Sequence, residues 1–297
     1  MPTSLLQAAC RLKLDIWRLL HPAPVHPLSL EDQFPWCSPN VWQRVVDFYL
    51  ARPSPVIFEY GTGASSLHHM RNLLAGGGTY IGVEHEMDWY AQVLHFVVCF
   101  GIRNGLTVKT TLAPVNMPAR SKVAAYDATL HLSGPGLAGC TAKLKLRSPY
   151  NSAKEGDGTL EEFREYVYAL DEPGDVVVID GRARKACVNY ILDTGFLKPG
   201  GLLALFDAGR GTEGWLGWPA LTGTSNYQPE VRRMLALGGE VIHGVGLDRW
   251  EGLKQRRTLS RNAYSYPSEA CFLRLPPVNR VLTCQDSPGN VRHERAG

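Results

Sequence analysis

The sequence predicts a doubly wound α/β fold: a mostly parallel sheet of seven strands, covered by helices on both faces, with an antiparallel pair at one edge. Three observations carry this. Short apolar runs and helix-like stretches alternate along most of the chain, as repeated strand–helix–strand units do. The segments "DVVVID" and "GGLLALFDA" are apolar through their middles, which suits strands covered on both faces. The last strand-like segments, "EVIHGVGL" and "ACFLRL", have no helical pattern between them and so pair antiparallel at an edge.

In order along the chain, "SLLQAACRLKLDIWRLLHP" reads as an amphipathic helix ended by Pro22. Arg11, Lys13, Asp15 and Arg18 interrupt its apolar residues, so it is no signal peptide; it packs on its own domain or meets a membrane surface or a partner. Residues 22–37 are proline-rich, making 1–37 a helical extension and connector. Ser38-Pro39 then offers a cap and first-turn proline for "NVWQRVVDFYLAR". Val56 to Glu59 is a strand, Ser65 to Leu74 a helix, "GGG" a break, "YIGVE" a strand, "MDWYAQVLHFVVCFG" a helix and "LTVKTTL" a third strand. Residues 113–158 break the rhythm, with one strand-like run, "AKLKLR", and read as a functional loop or an inserted lid. Alternation resumes with helix "TLEEFREYVYALDE", strand "DVVVID", helix "RKACVNYILDTG", strand "GGLLALFDA" and helix "QPEVRRMLALGG". A second insertion falls near 248–268, the domain runs over 38–275, and the polar tail 276–297 reads as disordered.

Composition narrows the classes. A hydrophobic fraction of 44% with 20% charged residues is ordinary for a globular protein, and a net charge of +3 gives no reason to expect nucleic acid. Seven scattered cysteines without a C-x-x-C pair read as reduced thiols of a cytoplasmic protein, not a disulfide framework or a zinc site. No apolar run approaches the ~18 residues of a membrane span. Oligomeric state leaves no trace in the sequence.

The stretch "VIFEYGTGASSLHHM" concentrates the functional signal. A strand ends in an acid, turns through Gly61-Thr62-Gly63 and enters a helix; in such sheets ligands sit at the carboxyl ends of the strands. Glu84 ends the second strand 21 residues after Gly63, where an acid can accept bonds from a ribose diol. Two ligand classes fit this arrangement, dinucleotides and S-adenosylmethionine. A pyrophosphate on a helix N-terminus is poorly served by an acid beside the turn. Glu59 therefore favours a ligand with a cationic end, and Ser66 stands where G-x-G-x-x-G has its third glycine.

With these residues the chain resembles the class I S-adenosylmethionine-dependent methyltransferases, whose fold is Rossmann-like. The matching segments are "FEYGTGAS", "GVEHEMDWY", "VVVIDGRAR" and "LKPGGLLALFD", in that order over roughly residues 41–275. The resemblance implies that Gly61, Thr62, Gly63 and Ser65 cradle the methionine end of the donor. Glu59 would hold its ammonium, directly or through water, Glu84 its ribose, and His85 with Glu86 would flank the adenine. It implies transfer of a methyl group, most often to oxygen of a small molecule or saccharide. "TLAPVN", after the third strand, supplies no acid for adenine.

Asp180 and Asp207 end two buried strands at the same rim as Glu59 and Glu84, as catalytic candidates. Two arrangements are open there. In one, the pair holds a divalent ion such as Mg2+ that chelates the acceptor, as in methyltransferases of the catechol and macrolide-sugar type. Those enzymes usually follow the second acid with Asp or Asn, and Ala208 stands here. In the other, Asp180 caps the next helix or pairs with Arg182 or Arg184, and Asp207 orients the acceptor. The basic stretch "DRWEGLKQRRTLSR" is a solvated loop or reads an anionic acceptor, and Trp215, Trp218, Tyr227 and Trp250 offer rings to stack on a sugar or aromatic group. Cys187, His68 and His69 read as packing or surface residues. The competing functions are an NAD(P)-dependent oxidoreductase and a non-catalytic nucleotide-binding or partner protein on the same fold.

Overall fold

The computed structural model describes residues 35, 37, 39–115, 125–149, 157–208, 227–243 and 269–277. The amphipathic N-terminal segment, most of the connector, the basic stretch at 248–268 and nearly all of the tail lie outside them, as do Trp215, Trp218 and Trp250.

The chain opens with α1 (Pro39–Leu50), with Pro39 in the first turn as its fixed φ allows. There follow β1 (Val56–Tyr60), α2 (Ala64–Gly76), β2 (Thr79–Glu84), α3 (Met87–Arg103), β3 (Thr107–Pro114), β4 (Ala125–Ser133) and β5 (Cys140–Arg147). The second half carries α4 (Arg164–Val167), β6 (Gly174–Ile179), α5 (Arg184–Thr194), β7 (Leu197–Phe206), α6 (Gln228–Ala236), β8 (Glu240–His243) and β9 (Glu269–Arg274). All nine strands form one sheet in the order β3-β4-β5-β2-β1-β6-β7-β9-β8.

The five central strands, β5-β2-β1-β6-β7, are mutually parallel. Numbered among themselves along the chain they run 3-2-1-4-5, the doubly wound order whose switch point lies between β1 and β6. The expected antiparallel pair is present, with β9 between β7 and β8. The strand count departs from seven because a second antiparallel pair, β3 and β4, extends the other edge. This corrects two expectations. "LTVKTTL" is a strand but lies at the outer edge, and "AKLKLR", placed inside an insertion, is β5, the true parallel neighbour of β2. Lys143, Lys145 and Arg147 broke its apolar pattern. They are accommodated because Lys145 pairs with Asp171 and the Ala169 carbonyl, and Arg147 with Asp127.

The expected helix over 159–172 also shrinks, to the single turn α4. Its start carries the reciprocal bonds of a capping box, Thr159 N–H to Glu162 and Glu162 N–H to the Thr159 hydroxyl. The path breaks at Phe163, whose φ of -112° and ψ of 24° leave the helical region.

Alternation along the strands divides the interior into two layers. Ile57, Tyr80, Val176, Val178 and Ala204 face α1, α2 and α3, while Phe58, Ile81, Val177, Ile179 and Leu203 face α4, α5 and α6. Glu59, two residues on from Ile57, thereby points into the α1–α3 layer. Among the described residues three helices lie on each face of the sheet and leave the carboxyl rim of β1, β2, β6 and β7 as the place where turns converge. No helix among the described residues is long and apolar enough to cross a membrane.

Candidate functional site

The rim is built around two glycines. Gly61 has φ +91°, and a Cβ there would lie 2.6 Å from the Cα and 2.8 Å from the N of Gly181. A Cβ on Gly181 would in turn meet the Tyr166 hydroxyl and the Gly61 backbone. The turns after β1 and β6 thus touch backbone to backbone at the switch point, and only glycine fits either place. Gly63 differs. Its φ of 173° is extended, and a Cβ would meet Trp89 at an ordinary 3.6 Å. The close approach expected of both turn glycines is therefore shown within the protein only for Gly61.

Glu59 is 1% exposed. Its carboxylate oxygen Oε2 accepts the Tyr80 hydroxyl at 2.5 Å and faces the Ser66 hydroxyl at 3.4 Å, and Ser65 bonds to the same group. Gly82, paired with Glu59 across the strands, makes the room: a Cβ there would lie 2.5 Å from the Tyr80 hydroxyl. No ion pair reaches Glu59 among the described residues, and burial raises its pKa to about 8 against the lowering effect of the hydroxyls. A buried acid short of a cation is what an ammonium-bearing ligand would complete. Ser66, read in the sequence only as a missing glycine, accepts the Gly63 N–H at 3.0 Å and hydrogen-bonds the Tyr80 hydroxyl at 2.7 Å, so it ties the start of α2 to Glu59.

Glu84 ends β2 as expected, but the protein itself occupies its oxygens. Oε2 accepts the Thr62 N–H and hydroxyl, both at 3.1 Å; Oε1 accepts the N–H groups of His85 at 2.8 Å and Glu86 at 3.0 Å. The His85 Nδ1 lies 2.7 Å from Oε1. Burial opposes ionisation here, yet His85 and these amides outweigh it and hold the carboxyl below its usual range. Glu84 is a brace between the glycine turn and the end of β2, and a ribose hydroxyl would have to displace one of these donors. Trp89 adds a second clamp, donating its indole N–H to the Thr62 carbonyl at 2.6 Å. The His85 ring sits beside Phe163 and Tyr166, with centroids at 5.7 and 6.1 Å.

Asp180 and Asp207 do meet at the rim, with Arg184 between them. Arg184 Nη1 donates to the Phe206 carbonyl at 2.7 Å and to Asp207 at 3.2 Å. Nη2 donates to the Asp180 carbonyl at 2.9 Å and lies 3.3 Å from its carboxylate; Nε donates to the Gly181 carbonyl at 3.0 Å. Burial works against the guanidinium charge, but Asp207 and Asp180 more than compensate and raise its pKa. Of the two arrangements the sequence left open, the pairing with Arg184 is present. The pair does not fit a divalent ion: the Arg184 guanidinium already lies between the two carboxylates, and the described residues offer no group of three or more potential ligands. Asp207 adopts φ +54°, a strained conformation for a residue with a side chain.

Cys37, just ahead of α1, was read as an isolated thiol. It is buried within the field of Asp180, Asp207 and Glu59, and burial followed by these charges pushes its pKa well up. All five described cysteines are free thiols. Tyr227, expected to offer a ring to a ligand, is buried and donates to Asp157 at 2.9 Å. His131 bonds Thr141 at the amino end of β5, across the sheet from the rim, which removes it as a base there. The side chain of His243 lies outside the described residues. His69 is wholly buried in the α1–α3 layer, as a packing residue. The segment that follows the third parallel strand is the one after Arg147, not "TLAPVN".

No family model and no curated protein matches the chain. Solved structures resemble it in chain path. The O-methyltransferase TomG of Streptomyces achromogenes, solved with S-adenosylmethionine, matches at 13% identity and a TM-score of 0.46, covering 89% of this chain and 96% of that one. An O-methyltransferase of Bacillus cereus, solved with S-adenosylhomocysteine, matches at 12% identity and 0.46, covering 88% and 97%. Cofactor-bound Rv0187 from MTB matches at 13% identity and 0.46, covering 88% and 90%. What the rim can bind follows from its own residues.

Proposed function

We propose that this chain is an S-adenosylmethionine-dependent methyltransferase acting on oxygen of a small-molecule or saccharide acceptor. The observation that carries this is Glu59, a buried carboxyl without an ion pair among the described residues, beside a glycine turn at the switch point of a doubly wound sheet. A pyrophosphate gains nothing from such a group, whereas the ammonium of a methionyl end does.

The residues at the rim fit that donor. Glu59 takes the ammonium, and Gly61 lets the turn lie flat against Gly181. Glu84 exchanges the Thr62 hydroxyl for a ribose hydroxyl, one neutral donor for another. His85, Phe163 and Tyr166 form the adenine side. S-adenosylmethionine supplies an electrophilic methyl on a sulfonium. Asp180 and Asp207, placed by Arg184, accept hydrogen bonds from the acceptor. As the oxygen–carbon bond forms and the sulfur–carbon bond breaks, one of them receives the hydroxyl proton. No metal enters this scheme, because Arg184 already occupies the space between the acids. Free thiols fit a reducing compartment such as the cytoplasm.

Calorimetric titration with S-adenosylhomocysteine and with NAD tests the reading. Binding of the first and not the second is expected; binding of NAD alone would replace the reading with that of an oxidoreductase.

A further inference from the structure

Among the described residues Glu59 is an acid without a counter-ion, buried inside a shell of hydroxyls. The described groups that face it come from several elements. β2 contributes Tyr80, α2 contributes Ser65 and Ser66, and Tyr49 looks in from α1. Asp180 approaches from the end of β6, and Cys37 from the residues before α1. Behind Tyr80 stacks His69, with ring centroids 5.6 Å apart and neither imidazole nitrogen bonded. None of these groups supplies a positive charge near neutrality. Burial holds His69 down at about 3, so it is neutral, and burial raises the Tyr80, Tyr49 and Cys37 protons out of the neutral range. Asp180, the charged neighbour among the described residues, is negative and adds to the pressure on Glu59 to keep a proton.

We propose that Glu59 is a proton-exchange site, which admits the ammonium of the methyl donor only by giving up its own carboxyl proton, so that each donor bound releases one proton to solvent. This rests on the donor reading above. A carboxyl buried in this way cannot take an ammonium while it stays neutral without losing the charge pairing that makes binding favourable. With the ammonium absent, burial favours the protonated carboxyl below about pH 8. Proton and ammonium therefore occupy the site in alternation. Tyr80 and Ser66 are positioning residues: their hydroxyls stay as donors in both states, and the Tyr80 bond favours the ionised form. Gly82 keeps the Tyr80 hydroxyl in reach.

The test is titration of the full chain with S-adenosylhomocysteine, which carries the same ammonium, in phosphate and in Tris across pH 6 to 8. The heats are expected to differ between buffers by nearly one proton released per ligand at pH 7. Affinity is expected to rise about tenfold per pH unit at the acid end of that range, because the slope equals the protons exchanged. Glu59→Gln, which keeps a side chain of the same shape, is expected to bind more weakly and with no exchange. Where that variant binds too weakly to titrate, Tyr80→Phe carries the test: losing a bond that favours ionisation moves the pH profile upward. Equal heats in both buffers with wild-type binding intact would overturn the inference. So would undiminished proton release from Glu59→Gln, or an unmoved profile in Tyr80→Phe. A flat titration of the wild-type chain overturns the donor reading itself, and is distinguished by the absence of any binding heat.

Discussion

Gly61 and Gly63 stand two residues apart in one turn, yet the structure assigns them different work, and substitution separates the two. Alanine at 61 meets two obstacles at once. Its φ of +91° is one that a side chain adopts only under strain, at about 1–3 kcal/mol. Its Cβ would also sit 2.6 Å from the Cα of Gly181, where backbone must move, not the far end of a flexible side chain. Overpacking of that kind costs about 1–3 kcal/mol more. Gly61→Ala is thus expected to lose roughly 2–6 kcal/mol, or about 5–20 °C in midpoint for a domain of this size. Gly63→Ser meets neither obstacle: its backbone is extended, Trp89 is 3.6 Å away, and serine is a good residue at the start of a helix. It is expected to stay within about 1 kcal/mol of the parent. Thermal and urea unfolding read both values. A Gly61→Ala variant as stable as Gly63→Ser would refute the backbone contact at the switch point.

Two further outcomes follow from buried titratable groups. Arg184→Met strips the fork that ties Asp180 to Asp207 and leaves three carbonyls without their donor; a loss of about 3–5 kcal/mol is expected by urea unfolding, and Arg184→Lys should recover only part of it, since a single ammonium cannot span the same partners. His69 is held neutral, with its pKa lowered to about 3 by burial and then by His68, so its contribution to stability is complete above pH 6.5 and is lost as pH falls toward 3. Among Trp42, Tyr49 and Tyr80, His69→Phe is expected to flatten that acid limb and to raise stability at neutral pH by about 1–3 kcal/mol, because no buried nitrogen is left unbonded; a destabilised variant with an unchanged acid limb would contradict this.

The sequence by itself determined the local elements and the rim. Alternating apolar runs marked β1, β2, β6 and β7. Glu59, Gly61, Glu84, Asp180 and Asp207 were legible because a strand end followed by a glycine turn or a helix start is a local event, written in adjacent residues. Tyr80 was missed although parity offered a signal, since a residue opposite Ile57 on a parallel neighbour shares the face of Glu59. Ser66 was read as an absence because its partner, the Gly63 N–H, is a backbone group. Strand order lay beyond local reading. "AKLKLR" carries alternating cations, and only the tertiary structure supplies the Asp171 and Asp127 that let it lie next to β2. The same holds for the state of the site. Arg184 reaches Asp207 from 23 residues away, and the charge on Glu59 depends on the burial given by α1, α2 and β2 together. Residue types and turns are properties of neighbours in the chain. Ionisation, hydrogen-bond saturation and the contact of two glycines are properties of neighbours in space.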